Sequence, residues 1–142
     1  MTAAVLALLL LTGCGAARDY MGIDLRRAPA TPSQKALQDT ARFAQSGSKA
    51  DQLTLGRVFE DGRGVPRDLD RACILYRAAA TTTGGTIYIY QPKIGNSPGR
   101  VVPMTTPLSP GLAAARERLD ALAYRAATSD LATSDCLKAA KR

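Results

Sequence analysis

The sequence predicts an all-α fold, an antiparallel helical hairpin repeat interrupted by one short extended or β-hairpin insertion. Apolar residues recur at three- and four-residue spacing over most of residues 33–142, which is typical of amphipathic helices. Glycine and proline separate these stretches, most densely in residues 61–66, which cannot continue a helix. Alternation of apolar side chains at a period of two is confined to residues 86–90. Residues 33–142 are therefore expected to form one helical domain.

We predict the bounds of the helices from their capping residues and their buried faces from the spacing of apolar residues. Ser33 is expected to cap a first helix that ends at Gly47, and a second helix spans about 50–60. Asp68 is placed to cap a third helix, and Ser109 with Pro110 begins a fourth. A last short helix starts at about residue 129. The buried stripes of the third and fourth helices comprise Leu69, Ala72, Cys73, Tyr76, Ala79 and Ala80, and Leu112, Ala115, Leu119, Leu122 and Ala126.

Residues 83–109 form the insertion, where a strand at 86–90 is expected to pair with 100–102. Long loops in compact domains are commonly functional. Two interpretations stay open: the segment docks a partner strand or an acidic peptide, or it packs Ile87 and Ile89 on the helices and only covers an apolar face. The candidate partner-binding residues are Tyr88, Tyr90, Lys93 and Arg100.

The first eleven residues are apolar and uncharged, and Leu11-Thr12-Gly13-Cys14 follows directly. This run is shorter than the roughly 20 residues that a membrane-spanning helix needs, so residues 1–13 are expected to be a signal peptide. The tetrapeptide resembles the bacterial lipobox, which implies lipid on Cys14, although the usual basic residues before the apolar run are missing. Gly15 is not the aspartate of inner-membrane retention, which implies the outer membrane. An ordinary secretory signal with a chance cysteine is the alternative.

Residues 14–32 lack apolar periodicity and hold two prolines, so they are expected to be a flexible tether. The whole chain is basic, with 19 Lys and Arg against 12 Asp and Glu. In an envelope compartment this balance favours anionic lipid, cell-wall polymer or an acidic envelope protein as partner over nucleic acid. The alternative is that the positive charge only keeps the domain in solution.

The chain contains no histidine, which excludes Ser-His-Asp and Cys-His nucleophile arrangements and His-containing zinc sites. No cofactor or metal is expected. With Cys14 lipidated, Cys73 and Cys136 remain, and an oxidising compartment favours a disulfide between them. A buried free thiol at Cys73 is the alternative.

The segment from Leu55 to Ala80 resembles one unit of the Sel-one-like repeat family, a relative of tetratricopeptide repeats. The resemblance implies a repeat over 48–82, an insertion over 83–109, C-terminal helices over 110–142, and a role in protein interaction. Disulfides in this family link the helices of one repeat, so a bond from Cys73 to Cys136 would depart from its pattern. The residues that carry the resemblance are Leu55, Gly56, Phe59, Gly62, Gly64, Val65, Asp68, Ala72, Tyr76 and Ala79.

These observations together predict a periplasmic adaptor or scaffold lipoprotein, held to the outer membrane through Cys14 and not an enzyme. The alternative is an envelope hydrolase or cell-wall-modifying enzyme that uses carboxylates. Its candidate groups are Glu60-Asp61 and the pair Asp68 and Asp70. Such an enzyme needs two carboxylates facing a cleft at a set separation.

Overall fold

A computed structural model of the chain describes residues 18–128 and Cys136. The expected signal peptide, the lipidation site Cys14 and the short helix after residue 129 lie outside these residues, Cys136 excepted. The elements follow in the order β1 (Asp19–Tyr20), β2 (Ile23–Asp24), α1 (Pro32–Gln45), α2 (Lys49–Asp61), α3 (Leu69–Ala80), β3 (Thr83–Gln91), β4 (Arg100–Ser109) and α4 (Ala113–Thr128).

The fold is mixed, so the prediction of an all-α repeat array is wrong. Within the described ranges, four helices stand beside two antiparallel sheets of two strands each. Both sheets arise where the helical periodicity stops. The second sheet is much longer than expected, because β3 and β4 continue to Thr83 and Ser109 at their base.

The four helices form the body of the protein, each packed on its neighbour along the chain. The largest side chains of their core are fully buried: Leu55, Phe59, Leu75, Tyr76 and Leu122. None of the helices in the described part of the chain is long and apolar enough to cross a membrane.

The helix caps explain where the helices begin and end. The prediction for Asp68 is confirmed, since its carboxylate accepts hydrogen bonds from the backbone N–H of Asp70 and Arg71, both at 3.0 Å. Gly62 ends α2 in the left-handed conformation, with φ of 72°. The first helix is capped by Thr31 and not by Ser33, and so begins two residues early.

The fourth helix begins later than expected. Ser109 ends β4 and Pro110 is not helical, so neither starts α4. The N–H of Leu112 donates instead to the carbonyl oxygen of Ala79 at 2.9 Å, which fixes the chain to the end of α3 before α4 begins.

The described part of the expected tether, residues 18–32, is packed on the helices. The β1–β2 hairpin turns through Met21 and Gly22, and Ile23 and Leu25 are buried in the helical core. Side chains of the helices hold its carbonyl groups: Gln38 Nε2 donates to Asp24 and Arg27, Arg42 to Leu25, and Arg71 to Met21. Within the expected tether, residues 19–25 are therefore held on the helices by two buried apolar side chains and by hydrogen bonds to their backbone carbonyl groups.

Candidate interaction surface on the β3–β4 hairpin

The β3–β4 hairpin is a two-stranded antiparallel ribbon with a continuous register from Thr86 to Gln91. Thr86 pairs with Thr105, Ile87 with Met104, Tyr88 with Pro103, Ile89 with Val102, Tyr90 with Val101 and Gln91 with Arg100. Directly opposed residues share a face of the ribbon. The odd-numbered residues of β3 therefore lie on one face and the even-numbered residues on the other.

Both faces of the hairpin are exposed. Ile87 and Ile89 are 60% and 41% exposed, so the expectation that they pack on the helices is wrong. Val101, Met104 and Leu108 on β4 and Ile94 at the tip are also mostly exposed. A ribbon that is apolar on both faces presents an amount of exposed hydrophobic surface that usually marks a binding site.

The four candidate binding residues are only partly brought together. Tyr88 and Tyr90 share one face and are 73% and 64% exposed. Arg100 lies on the opposite face beside Gln91, whose Oε1 accepts a hydrogen bond from Arg100 Nε at 3.3 Å. Lys93 follows β3 on the exposed approach to the tip. The basic residues thus mark the tip end of the hairpin, and the tyrosines mark one face.

Lys49, at the start of α2, fastens the base of the hairpin. Its ammonium donates to the carbonyl oxygens of Thr81 at 2.7 Å, Ser109 at 2.5 Å and Pro110 at 3.2 Å. Thr81 follows the last residue of α3, where the carbonyl groups carry the negative end of the helix dipole. One side chain therefore joins both ends of the hairpin to the helical body.

Two glycines allow the close backbone packing at this base. A Cβ on Gly84 would lie 2.1 Å from the carbonyl oxygen of Pro107, and one on Gly111 would lie 1.8 Å from that of Ala80. No side chain fits either position. The entry and exit of the hairpin are thus held against β4 and α3.

The charge around the hairpin is of one sign. No acidic residue occurs between Asp70 and Glu117, whereas this stretch holds Arg71, Arg77, Lys93, Arg100 and Arg116. This stretch therefore carries five of the chain's seven net positive charges, because no acid offsets its five cations. This arrangement favours an acidic partner.

The residues of the repeat pattern build the α2–α3 helical hairpin. Gly56 lies against the ring of Tyr76, and a Cβ there would lie 2.5 Å from Tyr76 Cε1. Gly64, between α2 and α3, has a φ of 75°, a left-handed conformation that favours glycine. Leu55, Phe59, Ala72 and Ala79 are fully buried, and Val65 packs at the edge of the core. These residues position helices and offer no reactive group.

Glu60 is the one candidate carboxylate that is buried, and it is held by three partners. Tyr76 donates its hydroxyl to Glu60 Oε2 at 2.6 Å, Arg118 lies 3.6 Å from the same oxygen, and Arg125 pairs with Oε1. Burial raises the pKa of Glu60, but the hydrogen bonds from Tyr76 and Arg125 and the two positive charges outweigh it, so the pKa lies below its usual range. Burial and the same carboxylate raise the pKa of Tyr76. A carboxylate kept ionised in this way favours a structural role over general acid catalysis.

The other candidate carboxylates lie at helix ends: Asp61 is the last residue of α2, and Asp70 lies in the first turn of α3. Asp61 pairs with Arg63 at 2.8 Å on the surface, and Asp68 is occupied as the cap of α3. No group of three or more metal-ligating side chains was found in the part of the chain that the structure describes.

Cys73 and Cys136 form a disulfide, as the sequence predicts. Their Cα atoms lie 6.2 Å apart, and the bond closes a sequence separation of 63. Cys73 is fully buried on α3, and Arg77 donates to the backbone carbonyl of Cys136 at 2.9 Å. The bond joins Cys73 in α3 to Cys136, which lies outside the α2–α3 unit.

The roles of Lys49, Arg118 and Arg125 cannot be predicted from the sequence. No local pattern indicates them, because each acts on a residue far away in the chain.

Comparisons of the chain with protein-family models, curated proteins and solved structures found no match.

Proposed function

We propose that this protein is a protein-interaction module whose binding surface is the β3–β4 hairpin, carried on a helical body. The carrying observation is the exposure of large apolar side chains on both faces of the ribbon, with Tyr88 and Tyr90 on one face and Ile87 and Ile89 on the other. Two-stranded ribbons are only marginally stable alone in water, so one that is this apolar gains most when a partner covers it.

The helical body supports this role by holding the hairpin in place. Lys49 bonds both of its ends, and the tight contacts of Gly84 and Gly111 fix the backbone there. A binding surface on a fixed support loses less conformational entropy when a partner docks.

The proposal includes a lipid anchor on Cys14, which places the module at the periplasmic face of the outer membrane. Its support is the sequence Leu11-Thr12-Gly13-Cys14 behind an apolar run, and the disulfide is consistent with an oxidising compartment. Metabolic labelling with a fatty-acid probe tests it: the wild type should incorporate the probe and Cys14→Ser should not.

Site-specific photo-cross-linking in cells tests the interaction. A photoreactive amino acid is placed at Tyr88 or Tyr90, and at Tyr124 on α4 as a control, because Tyr124 is equally exposed at 72% but lies outside the hairpin. We expect one discrete protein adduct from positions 88 and 90 and none from 124. Equal labelling from all three positions, or none from the hairpin, would contradict the proposal.

A further inference from the structure

We propose that the partner adds a β-strand to the free edge of β3, as an extended segment antiparallel to β3 with carboxylate side chains at its N-terminal end. This inference rests on the proposed function, because it assigns the binding mode of the same hairpin. It follows from the register of the ribbon, the positions of its prolines and the distribution of charge.

The register identifies which backbone groups of β3 point away from β4. Antiparallel pairs alternate between positions that exchange hydrogen bonds and positions that do not. Pro103 has no N–H, so its pairing with Tyr88 is of the second kind. Thr86, Tyr88 and Tyr90 therefore turn their N–H and C=O groups outward, whereas those of Ile87 and Ile89 face β4.

The two edges of the ribbon differ in their capacity to bind another strand. The outward positions of β4 include Pro103 at its centre, and Pro107 lies further along. Proline removes a donor and is a usual means of protecting an edge from strand addition. The nine residues of β3 contain neither proline nor a charged side chain. The β3 edge is therefore the one that remains open to a partner strand.

The side chains beside this edge suit an added strand. Ile87 and Ile89 lie beside the free edge of β3 on one face of the ribbon, and Tyr88 and Tyr90 lie beside it on the other face. The side chains of an added strand would therefore meet apolar neighbours on both faces. Cross-strand pairs of aromatic or β-branched residues stabilise sheets by about 0.2–1 kcal/mol each. The backbone bonds would supply affinity and the side chains specificity.

Antiparallel pairing is slightly more stable per residue than parallel pairing, which favours an antiparallel partner strand, and charge then sets the composition of that strand. The positive residues Lys93 and Arg100 lie at the tip end of β3, and no acid occurs in residues 71–116 to neutralise them. A strand antiparallel to β3 begins at the tip, as β4 does. Carboxylates at the N-terminal end of the partner would therefore face these two cations.

A second copy of this chain could pair with the backbone groups at the free edge of β3, but it would not neutralise Lys93 and Arg100. In an antiparallel pair of β3 strands, each Lys93 would lie near the Thr83 end of the other copy, where the hairpin has no acid. In a parallel pair, the Lys93 and Arg100 residues of both copies would meet. An anionic membrane surface would neutralise Lys93 and Arg100. It would leave the free edge of β3 unpaired, because lipid offers no partner for the outward N–H and C=O groups.

The experiment uses the oxidised mature chain with Cys14→Ser to keep it free of lipid, and blocked nine-residue peptides of alternating valine and threonine as probes. One peptide carries two glutamates at its N-terminal end, and a matched peptide carries them at its C-terminal end. We expect the first to bind about tenfold more tightly, by titration calorimetry. On binding, amide hydrogen exchange should slow at Thr86, Tyr88 and Tyr90.

Thr86→Pro and Thr105→Pro form a matched pair of variants. The two threonines oppose each other, share one side-chain hydrogen bond at 2.9 Å and both point their N–H outward, on β3 and β4 respectively. Thr86→Pro should weaken peptide binding about tenfold through a lost backbone bond, and Thr105→Pro should leave it within about twofold. Retained protection of the Ile87 and Ile89 amides shows that each variant keeps its hairpin.

Several results would overturn strand addition at β3. These are protection of the Val101 and Thr105 amides in place of the β3 amides, equal weakening by both prolines, no binding of either peptide at millimolar concentration, or a cross-linked adduct of twice the chain mass. If the cross-link from Tyr88 to another protein persists in any of these cases, the interaction function stands and only its mode is wrong. Loss of that cross-link as well removes the proposed function.

Discussion

The ammonium of Lys49 lies 2.7 Å from the carbonyl oxygen of Thr81, and this contact joins the first residue of α2 to the chain just past α3. The same nitrogen bonds Ser109 and Pro110 at the far end of the hairpin. One cation thus bridges three carbonyl groups, one before β3 and two at or just after the end of β4. The orientation of the hairpin on the body depends on this residue.

Lys49→Met should therefore loosen the hairpin base. Hydrogen bonds to charged groups contribute about 1.5–3 kcal/mol when buried, and partial exposure here lowers the expected loss of unfolding free energy to about 1–2 kcal/mol. Urea denaturation measures the loss, and amide exchange at residues 83–91 should accelerate. Lys35→Met is the control, because Lys35 makes only an exposed ion pair with Asp39 and should cost below about 0.5 kcal/mol. Equal effects of both changes would contradict the role of Lys49.

Glu60→Gln should destabilise the protein by about 2 kcal/mol, because Arg118 and Arg125 lose their buried carboxylate partner. The loss is not larger because both arginine side chains are half exposed and remain partly hydrated. The folded-state pKa of Glu60 lies below the ordinary value of 4.5, so its contribution is complete above that pH and is lost as the pH falls through the folded-state pKa. The difference in unfolding free energy between wild type and variant should therefore shrink as the pH falls below 4.5.

Glu117→Gln, at an exposed position of α4, is the control for this acid series. A difference between wild type and Glu60→Gln that stayed constant down to low pH would show that the carboxylate charge is not what stabilises the fold. Loss of a cell-wall hydrolase activity without loss of stability would instead favour the enzyme alternative.

Cys136→Ser should remove the disulfide while leaving Cys73 in its buried site. In the chain-entropy model, a closed loop of this length contributes about 4 kcal/mol, so the variant and the reduced wild type should lose a similar amount. Thiol titration of the denatured, non-reduced Cys14→Ser chain should find no free thiol. Two free thiols would contradict the bond.

Gly56→Ala should destabilise the α2–α3 pair, although alanine favours a helix. Its Cβ would lie 2.5 Å from Tyr76 Cε1, and the ring is buried with its hydroxyl bonded to Glu60, so it has little room to move. Overpacking of this kind costs about 1–3 kcal/mol. Thermal unfolding of Gly56→Ala measures this loss of stability. Thr54→Ala, at an exposed position of the same helix, is the control. A Gly56→Ala chain as stable as the control would show that close approach is not required here.

The helical body was largely predictable because its signals are local. Asp68 caps α3 and Gly62 ends α2 as their residue types and positions predict. The disulfide followed from the number of cysteines and the expected compartment. In each case a short stretch of sequence, or a simple count, contains the physical cause.

The mixed fold was not predictable from the same signals. Pro103 and Pro107 argue against a long strand, yet both are accommodated in an edge strand, and so β4 extends to Ser109. Ile23 and Leu25 belong to a segment without periodicity, and their burial depends on Gln38, Arg42 and Arg71 from two distant helices. Both faces of the hairpin are exposed because the helices do not pack against them. This tertiary arrangement cannot be predicted from a local sequence pattern.

The docking of residues 19–25 on the helices would bring a lipid on Cys14 close to the helical body. With lipid on Cys14, only three residues would lie between the anchored cysteine and Arg18. A fully extended chain spans about 3.5 Å per residue, so Arg18 would stay within roughly 14 Å of the anchored Cys14. The protein's search for a partner would then be confined to a layer next to the membrane that is about as deep as the anchored domain itself.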